Sequence, residues 1–398
     1  MSTKSKRLRI YLDKAHLKGF KSIDDLTIVF QKGLNVLIGK NGSGKSNLIE
    51  LLHKAISYKK DNRLNYTSAD LKFVSEDNHL FELEIKKQTH SSLELDGENI
   101  DATRGYIERF KIDGAIFSDT NAPRNSGRFK FGNQEVTFWY NYRLTLSQLG
   151  YETIYSTCIQ FDLPTNLEIV NTASTIKVDL KEGIMEDGDP YSFIFVNQSM
   201  FDLQIFFAQL KGGYENVSSQ DILSWLTIDS GVIDNLKRHS PITNLRFNPN
   251  INIYNDGNTL ILENIKIDFQ INDTWLPWSY LSDGTRRLFY IISQVTSSNG
   301  LVLLEEPELG IHPHQFNLLM DFLKEQSEEK QIIISTHSPK ALDHLSSDEL
   351  NNILITYYDR QLGTQIRHLS DAEISKAKRY MKEVGFFSDY WLMSDLEE

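Results

Sequence analysis

The chain has 398 residues, 40% of them hydrophobic and 24% charged, enough to bury a large core and to form two or three domains. Its net charge of −12 excludes a surface that grips nucleic acid all over, because neutralising phosphates needs clustered Lys and Arg. No apolar run approaches the roughly 20 residues of a membrane span. The basic start, residues 1–10, has no apolar segment behind it, and Cys158 is the single cysteine, so neither a secretory signal nor a disulfide or cysteine-based zinc framework is expected. A reducing cytoplasm fits best.

Taken in order, residues 8–60 read as strands, a glycine loop and a helix. Residues 26–30 supply one strand and the apolar run 34–38 another. Then comes Gly39-Lys40-Asn41-Gly42-Ser43-Gly44-Lys45-Ser46, which has the spacing G-x-x-x-x-G-K-S. Its glycines let successive backbone N–H groups point into one concavity and cradle phosphate oxygens. Lys45 is positioned to reach the β- and γ-phosphates and the Ser46 hydroxyl to ligate Mg²⁺. Residues 47–56 repeat apolar side chains at helical spacing, which puts the phosphates at a helix N-terminus. Nucleotide binding follows from this strand–loop–helix context.

Seven basic residues lie near the start: Lys4, Lys6, Arg7, Arg9, Lys14, Lys18 and Lys21. Arg124, Arg128 and Lys130 form a smaller group. Each group is either a solvated face or a local nucleic-acid contact, so DNA binding stays open. Beyond residue 61, alternation at 81–85 and the stretch 93–100 point to a small antiparallel lobe. Residues 101–135, rich in Gly, Asn, Arg and Ser, read as extended loop. Residues 199–210 and 219–226 have helical periodicity, but no heptad repeat is sustained, which argues against a long coiled-coil arm. Residues 251–254 and 259–262 read as strands joined by a turn. The expected organisation is therefore a head split in two, 1–60 and 241–398. An insert at 61–240 holds a small β lobe and then a helical subdomain.

The second half carries more chemistry. Residues 301–306 form an apolar strand ending in Glu305 and Glu306. At a strand's carboxyl end beside a phosphate loop, the first carboxylate helps to hold Mg²⁺, and the second polarises the water that attacks the γ-phosphate. Another apolar strand, 332–338, ends at His337, whose neutral imidazole can donate a hydrogen bond to the γ-phosphate or the attacking water. Leu281-Ser282-Asp283-Gly284 opens an apolar helix. It reads either as an ordinary N-cap or as a second anion site, which makes most sense if it covers the nucleotide of a partner subunit.

These motifs, with Glu306-Pro307-Glu308-Leu309-Gly310-Ile311-His312-Pro313 and Ser335-Thr336-His337-Ser338, stand in the order seen in ABC-type ATPase heads. The chain most resembles the RecF/SMC/OLD-like group, AAA family ATP-binding proteins of the AAA_15/AAA_21 type. His16-Leu17-Lys18-Gly19-Phe20-Lys21-Ser22 resembles the first-strand motif of RecF and SMC heads, and the end from Gly385 to Leu392 also looks like that group. The likeness covers residues 8–60 and 240–395. It implies an α/β P-loop fold, a mixed sheet flanked by helices, with a mixed α/β insert between the phosphate loop and the signature. It implies ATP and Mg²⁺ as ligands, with Asn41, Gly42, Ser43, Gly44, Lys45, Ser46 and Asn47 on the nucleotide and Lys21 and Ser22 close by. Ser46 and Glu305 serve the metal, Glu306 is the catalytic base and His337 the switch histidine.

The resemblance also implies an ATP-sandwich dimer in which Ser282 and Gly284 of one head contact the γ-phosphate held by the other, with Glu308 to His312 running between the two sites. Two features depart from the pattern: Glu305 stands where Asp is usual, and no motif places the glutamine that links metal to the moving lobe, for which Gln148, Gln160 and Gln198 are the candidates. A transporter role is disfavoured, and the 61 residues after His337 are too few for a second, nuclease domain. Two readings remain. One is the ATPase sensor or scaffold of a prokaryotic anti-phage defence system that controls a separate effector. The other is a RecF-like DNA repair or maintenance ATPase that binds DNA across the closed dimer.

Overall fold

The computed structural model describes residues 7–56, 66–87, 106–119, 128–131, 134–137, 146–147, 149–159, 174–179, 185–187, 228–394 and 396. The chain divides into two compact units. The first is Met1–Ile159, Ser298–Pro307 and Leu323–Glu398; the second is Gln160–Ser297 and Glu308–Phe322.

In the first unit the strands are β1 (Ile10–Phe20), β2 (Ile23–Val29), β3 (Leu34–Ile38), β4 (Ser68–Ser75), β5 (Leu80–Lys87), β6 (Tyr106–Ile112), β7 (Ala115–Asp119), β8 (Arg128–Phe131), β9 (Gln134–Thr137), β10 (Ser156–Ile159), β18 (Leu301–Glu305), β19 (Ile332–Thr336), β20 (Ile353–Asp359) and β21 (Gly363–His368). Twelve of them make one sheet in the order β10-β18-β19-β3-β20-β21-β2-β1-β4-β5-β6-β7, and β8 pairs with β9 separately.

Strands β10, β18, β19, β3 and β20 run parallel to one another. A parallel sheet is covered on both faces, so its strands must be apolar throughout. All five residues of β3, of β18 and of β19 are buried. The polar exception in β3, Asn35, is satisfied by accepting from the Gln31 N–H at 2.9 Å and donating to the Gln31 carbonyl at 2.8 Å. Helix α1 (Lys45–Ile56) buries Leu48, Ile49, Leu51, Leu52, Ala55 and Ile56, and these join one core with Leu37, Leu303, Ile333 and Leu354.

The other half of the sheet is antiparallel and alternates. In β4 and β5 the buried apolar side chains are Ala69, Leu71, Phe73, Phe81, Leu83 and Ile85, the period-2 pattern of a half-covered sheet. Strand β4 pairs with β1 from Ile10↔Ser75 to Lys18↔Ser68, so these strands continue the sheet that carries the glycine loop. Part of the region read as extended loop is also strand. Strands β6 and β7 form a hairpin whose two-residue turn, Asp113 (φ 48°) and Gly114 (φ 80°), adopts the left-handed conformations that Asp-Gly favours. Helices α5 (Asp371–Glu383), opened by a Ser370/Glu373 capping box, and α6 (Phe387–Met393) close the unit.

The second unit contains β11 (Ser174–Asp179), β12 (Met185–Asp187), β13 (Asn244–Phe247), β14 (Asn252–Asp256), β15 (Thr259–Ile265), β16 (Ile267–Ile271) and β17 (Thr274–Pro277). They form a sheet in the order β12-β11-β15-β14 and another in the order β13-β16-β17. Its helices are α2 (Ser230–His239), α3 (Asp283–Ser297) and most of α4 (Pro313–Gln326). Phe289 of α3 packs edge-to-face on Phe269 of β16 at 4.9 Å and on Trp278 at 5.8 Å. The Asn235 side chain of α2 donates to the Thr296 hydroxyl of α3 at 3.0 Å.

The strand expected at 93–100 and the helices expected at 199–210 and 219–226 lie outside the described residues, as do Lys4, Lys6, Arg124, Gln148, Gln160 and Gln198. Among the described residues no helix is long and apolar enough to cross a membrane.

Candidate functional site

Register brings the first unit's motif residues to one edge. Ile38 of β3 pairs with Thr336 of β19 and with Ile355 of β20, and Glu305 of β18 pairs with Ser335 of β19. The residues that follow these aligned carboxyl ends, Gly39, Glu306 and His337, therefore emerge together. Gly39 must be glycine: a Cβ there would lie 2.1 Å from the Thr356 carbonyl oxygen of β20. Gly42 (φ 78°) and Gly44 (φ 102°) take left-handed backbone, and space around Gly42 is open within 4 Å.

The three side chains at this edge are joined. Lys45 is 4% exposed, and its ammonium donates to the carbonyls of Gly39 at 2.7 Å and Lys40 at 3.2 Å. It also lies 3.2 Å from His337 Nδ1. An ammonium only donates, so Nδ1 accepts and the ring proton sits on Nε2, which faces Glu306 Oε1 at 2.7 Å. Glu306 reaches this position from a left-handed backbone (φ 41°), while its N–H donates to the Ser335 carbonyl at 2.8 Å. Strain of this kind in a non-glycine residue persists only where its surroundings over-determine it. Glu305, one residue earlier, is buried.

Beside the loop, the β1–β2 turn is fixed to one face of α1. Asn47 donates to the Ser22 hydroxyl at 2.7 Å, and Lys21, itself in left-handed backbone (φ 51°), pairs with Glu50. Lys54 holds the other Glu50 oxygen at 2.6 Å. Burial works to raise the Glu50 pKa, but Lys21 and Lys54 together hold the carboxyl below its usual range. Lys18 likewise pairs with Asp25 at 2.8 Å and Arg9 with Glu76 at 2.6 Å. Three members of the N-terminal basic group are thus matched by carboxylates. Thr364, the second residue of β21, was not singled out in the sequence. Its hydroxyl lies 2.7 Å from that of Ser22, and nothing local in the chain signals a contact across 342 positions.

The signature residues belong to the second unit. The Ser282 hydroxyl accepts from the Thr285 N–H at 3.2 Å and lies 2.9 Å from the Thr285 hydroxyl, so it caps the start of α3. Gly284 packs against the 308–312 loop, where a Cβ would lie 3.0 Å from the Gly310 carbonyl oxygen. Arg287 donates to the Leu309 carbonyl at 2.7 Å, which ties the helix to the same loop. Ser282 and Asp283 remain exposed.

The loop residues fit a nucleotide phosphate. The Ser43 hydroxyl is buried and has no hydrogen-bond partner among the described residues, and a phosphate oxygen is the acceptor it lacks. Lys45 supplies a buried cation at the same place. For Mg²⁺, the Ser46 hydroxyl at the first turn of α1 and the Glu305 carboxylate are hard oxygen donors. They suit a cation that keeps waters and takes its other ligands from phosphates.

A parallel strand, glycine loop and helix with an acid pair and a histidine at the same edge define a P-loop nucleoside triphosphatase head. Two family models match: one described as "AAA domain, putative AbiEii toxin, Type IV TA system" over residues 164–343, and one described as "AAA domain" over residues 14–184. DNA replication and repair protein RecF of Symbiobacterium thermophilum is 42% identical over 67 residues, 17% of this chain and 17% of that protein. RecF of Ligilactobacillus salivarius is 46% identical over 44 residues, 11% of this chain and 12% of that protein. The chain thus spans less than a fifth of the length of either relative. Among solved structures, an SMC head domain from Thermotoga maritima superposes with a TM-score of 0.44 at 13% identity, over 90% of this chain and 99% of that one. An SMC head bound to the C-winged helix domain of ScpA gives a TM-score of 0.47 at 14% identity, over 91% and 99%. The two AAA-domain models together span residues 14–343, so by sequence the chain is similar to AAA-domain proteins and, over short stretches, to RecF.

Proposed function

We propose that the chain binds MgATP at the Gly39–Ser46 loop and hydrolyses it, and that ATP-dependent pairing of two copies switches a separate effector protein. The observation that carries the enzymatic part is the Lys45–His337–Glu306 chain, with contacts of 3.2 and 2.7 Å at the aligned edge of β3, β18 and β19. Lys45 holds the β- and γ-phosphates. Glu306 accepts a proton from the attacking water, and His337 orients both through its two ring nitrogens. Ser46 and Glu305 would hold Mg²⁺, which would supply neutralisation of charge on the phosphate oxygens. Lys21, Ser22, Asn41, Gly42, Ser43, Gly44 and Asn47 frame the nucleotide. Ser282 and Gly284 of a second copy complete the site, which makes nucleotide occupancy a signal between subunits.

Glu306→Gln keeps the shape of the site and removes the base, so it should bind ATP while turnover falls about 100-fold or more. Turnover at the wild-type rate would refute the base assignment.

The effector part is supported by the toxin and toxin–antitoxin description of the family model over 164–343 and by the acidic charge, which suits protein partners better than nucleic acid. The RecF likeness favours a second reading, in which paired heads hold duplex DNA in a cytoplasmic repair role. A gel-shift titration with MgATP separates the two. Salt-sensitive duplex binding favours the DNA reading. No shift, together with ATP-dependent co-purification of a neighbouring gene's product on co-expression, favours an effector system such as anti-phage defence.

A further inference from the structure

The phosphate loop rests on a residue from the far end of the chain. Thr364 is fully buried, and a Cβ placed on Gly44 would lie 1.9 Å from its hydroxyl oxygen and 2.8 Å from its methyl carbon. Gly44 is the loop glycine with φ 102°, immediately before Lys45. Its backbone therefore lies directly against the Thr364 side chain, which acts as a floor.

The same side chain is polar and engaged. Its hydroxyl lies 2.7 Å from the Ser22 hydroxyl, which accepts from the Asn47 amide at 2.7 Å. The Thr364 N–H also donates to the Ser22 carbonyl at 2.7 Å. Next to it, Gly363 (φ 72°) brings its backbone so close that a Cβ would sit 2.4 Å from the Ser22 carbonyl oxygen. The start of β21, the β1–β2 turn and the first turn of α1 thus form one clamp, joined by a relay from Asn47 through Ser22 to Thr364.

We propose that Thr364 is a positioning residue for nucleotide binding: it sets Gly44 from below and, through Ser22, fixes Asn47 in the first helical turn. Loop N–H groups bind phosphate only when their directions converge, and two residues of the segment that presents them, Gly44 and Asn47, touch this one side chain directly or through a single hydroxyl. A floor of the right size without the hydroxyl leaves the Ser22–Asn47 end loose, because a buried hydroxyl partner is then missing.

The inference rests on the phosphate-loop reading, so its test measures MgATP affinity of the wild type alongside three variants. Thr364→Val keeps the volume and removes the hydroxyl; it should weaken MgATP binding about fivefold, the equivalent of one lost hydrogen bond. The ATP KM should rise by a similar factor, with kcat within about twofold of wild type because the groups at the reacting end are untouched. In the nucleotide-free protein, amide exchange over residues 39–50 should accelerate while that of 301–305 does not, a local effect that general loss of stability would not give. Thr364→Ser, which keeps the hydroxyl, should bind within about twofold of wild type. If Thr364→Val fails to fold, Thr364→Cys is read by the same criteria, its thiol being close in size and a weak hydrogen-bonding group. Wild-type affinity in the Val or Cys variant, or equal loss in the Ser variant, overturns the inference alone. Failure of the wild type to bind MgATP removes the phosphate-loop reading and the inference with it.

Discussion

The phosphate loop and the Ser282 turn are both serine- and glycine-bearing helix starts, yet their hydroxyls are used differently. Ser282 turns its oxygen onto its own helix and accepts the Thr285 N–H at 3.2 Å. Ser43 has its hydroxyl buried with no hydrogen-bond partner among the described residues, two positions before Lys45, a residue only 4% exposed. The cost of leaving a buried polar group unsatisfied is on the order of 1–3 kcal/mol, so a fold retains one where a ligand satisfies it. The Ser282 turn is complete in itself and exposed, the form expected of a surface offered to another molecule. On the function proposed above, the first site takes a ligand in and the second is presented to another copy.

Breaking the first region should have the largest effect. Lys45→Ala removes the buried cation and should weaken MgATP binding at least about 100-fold, since charge-assisted bonds to phosphate are the strong ones. Isothermal titration measures this; unchanged affinity would refute the loop assignment. Breaking the second region should act on assembly. Ser282→Ala should leave ATP affinity of the isolated chain within about twofold but abolish ATP-dependent pairing, at a cost of about 1 kcal/mol in stability from the lost cap. Sedimentation with and without MgATP separates these effects, and undiminished pairing would reduce Ser282 to an ordinary cap.

The smallest effect concerns order in the first unit. Burial, aided by Glu305 and Glu50, pushes the Cys158 thiol up to about 12. At pH 8 the folded protein should therefore react with a thiol reagent far more slowly than the denatured chain. Equal rates would show that β10 is not held against β18.

What the sequence made legible in this comparison was unequal. Strands β3, β18 and β19 were readable because burial on both faces demands unbroken apolar runs, and α1 and α3 because their apolar residues recur at helical spacing. The hairpin at 106–119 was obscured by the Gly- and Asn-rich stretch around it, although Asp113-Gly114 is a turn signal that alternation on either side could have exposed. Strand β4 alternates as clearly as β5 does. The Lys45–His337 contact and the Ser22–Thr364 contact join residues 292 and 342 positions apart. A motif can nominate His337, but no local pattern nominates Thr364, whose importance arises only from where β21 lies beside the loop.

The central claim is that the Gly39–Ser46 loop is a nucleotide site, and titrating MgATP into the wild-type chain tests it most directly. The account predicts saturable binding of one ATP per chain, dependent on Mg²⁺ and lost in Lys45→Ala. Absence of binding at millimolar MgATP, or binding that survives Lys45→Ala unchanged, would contradict it.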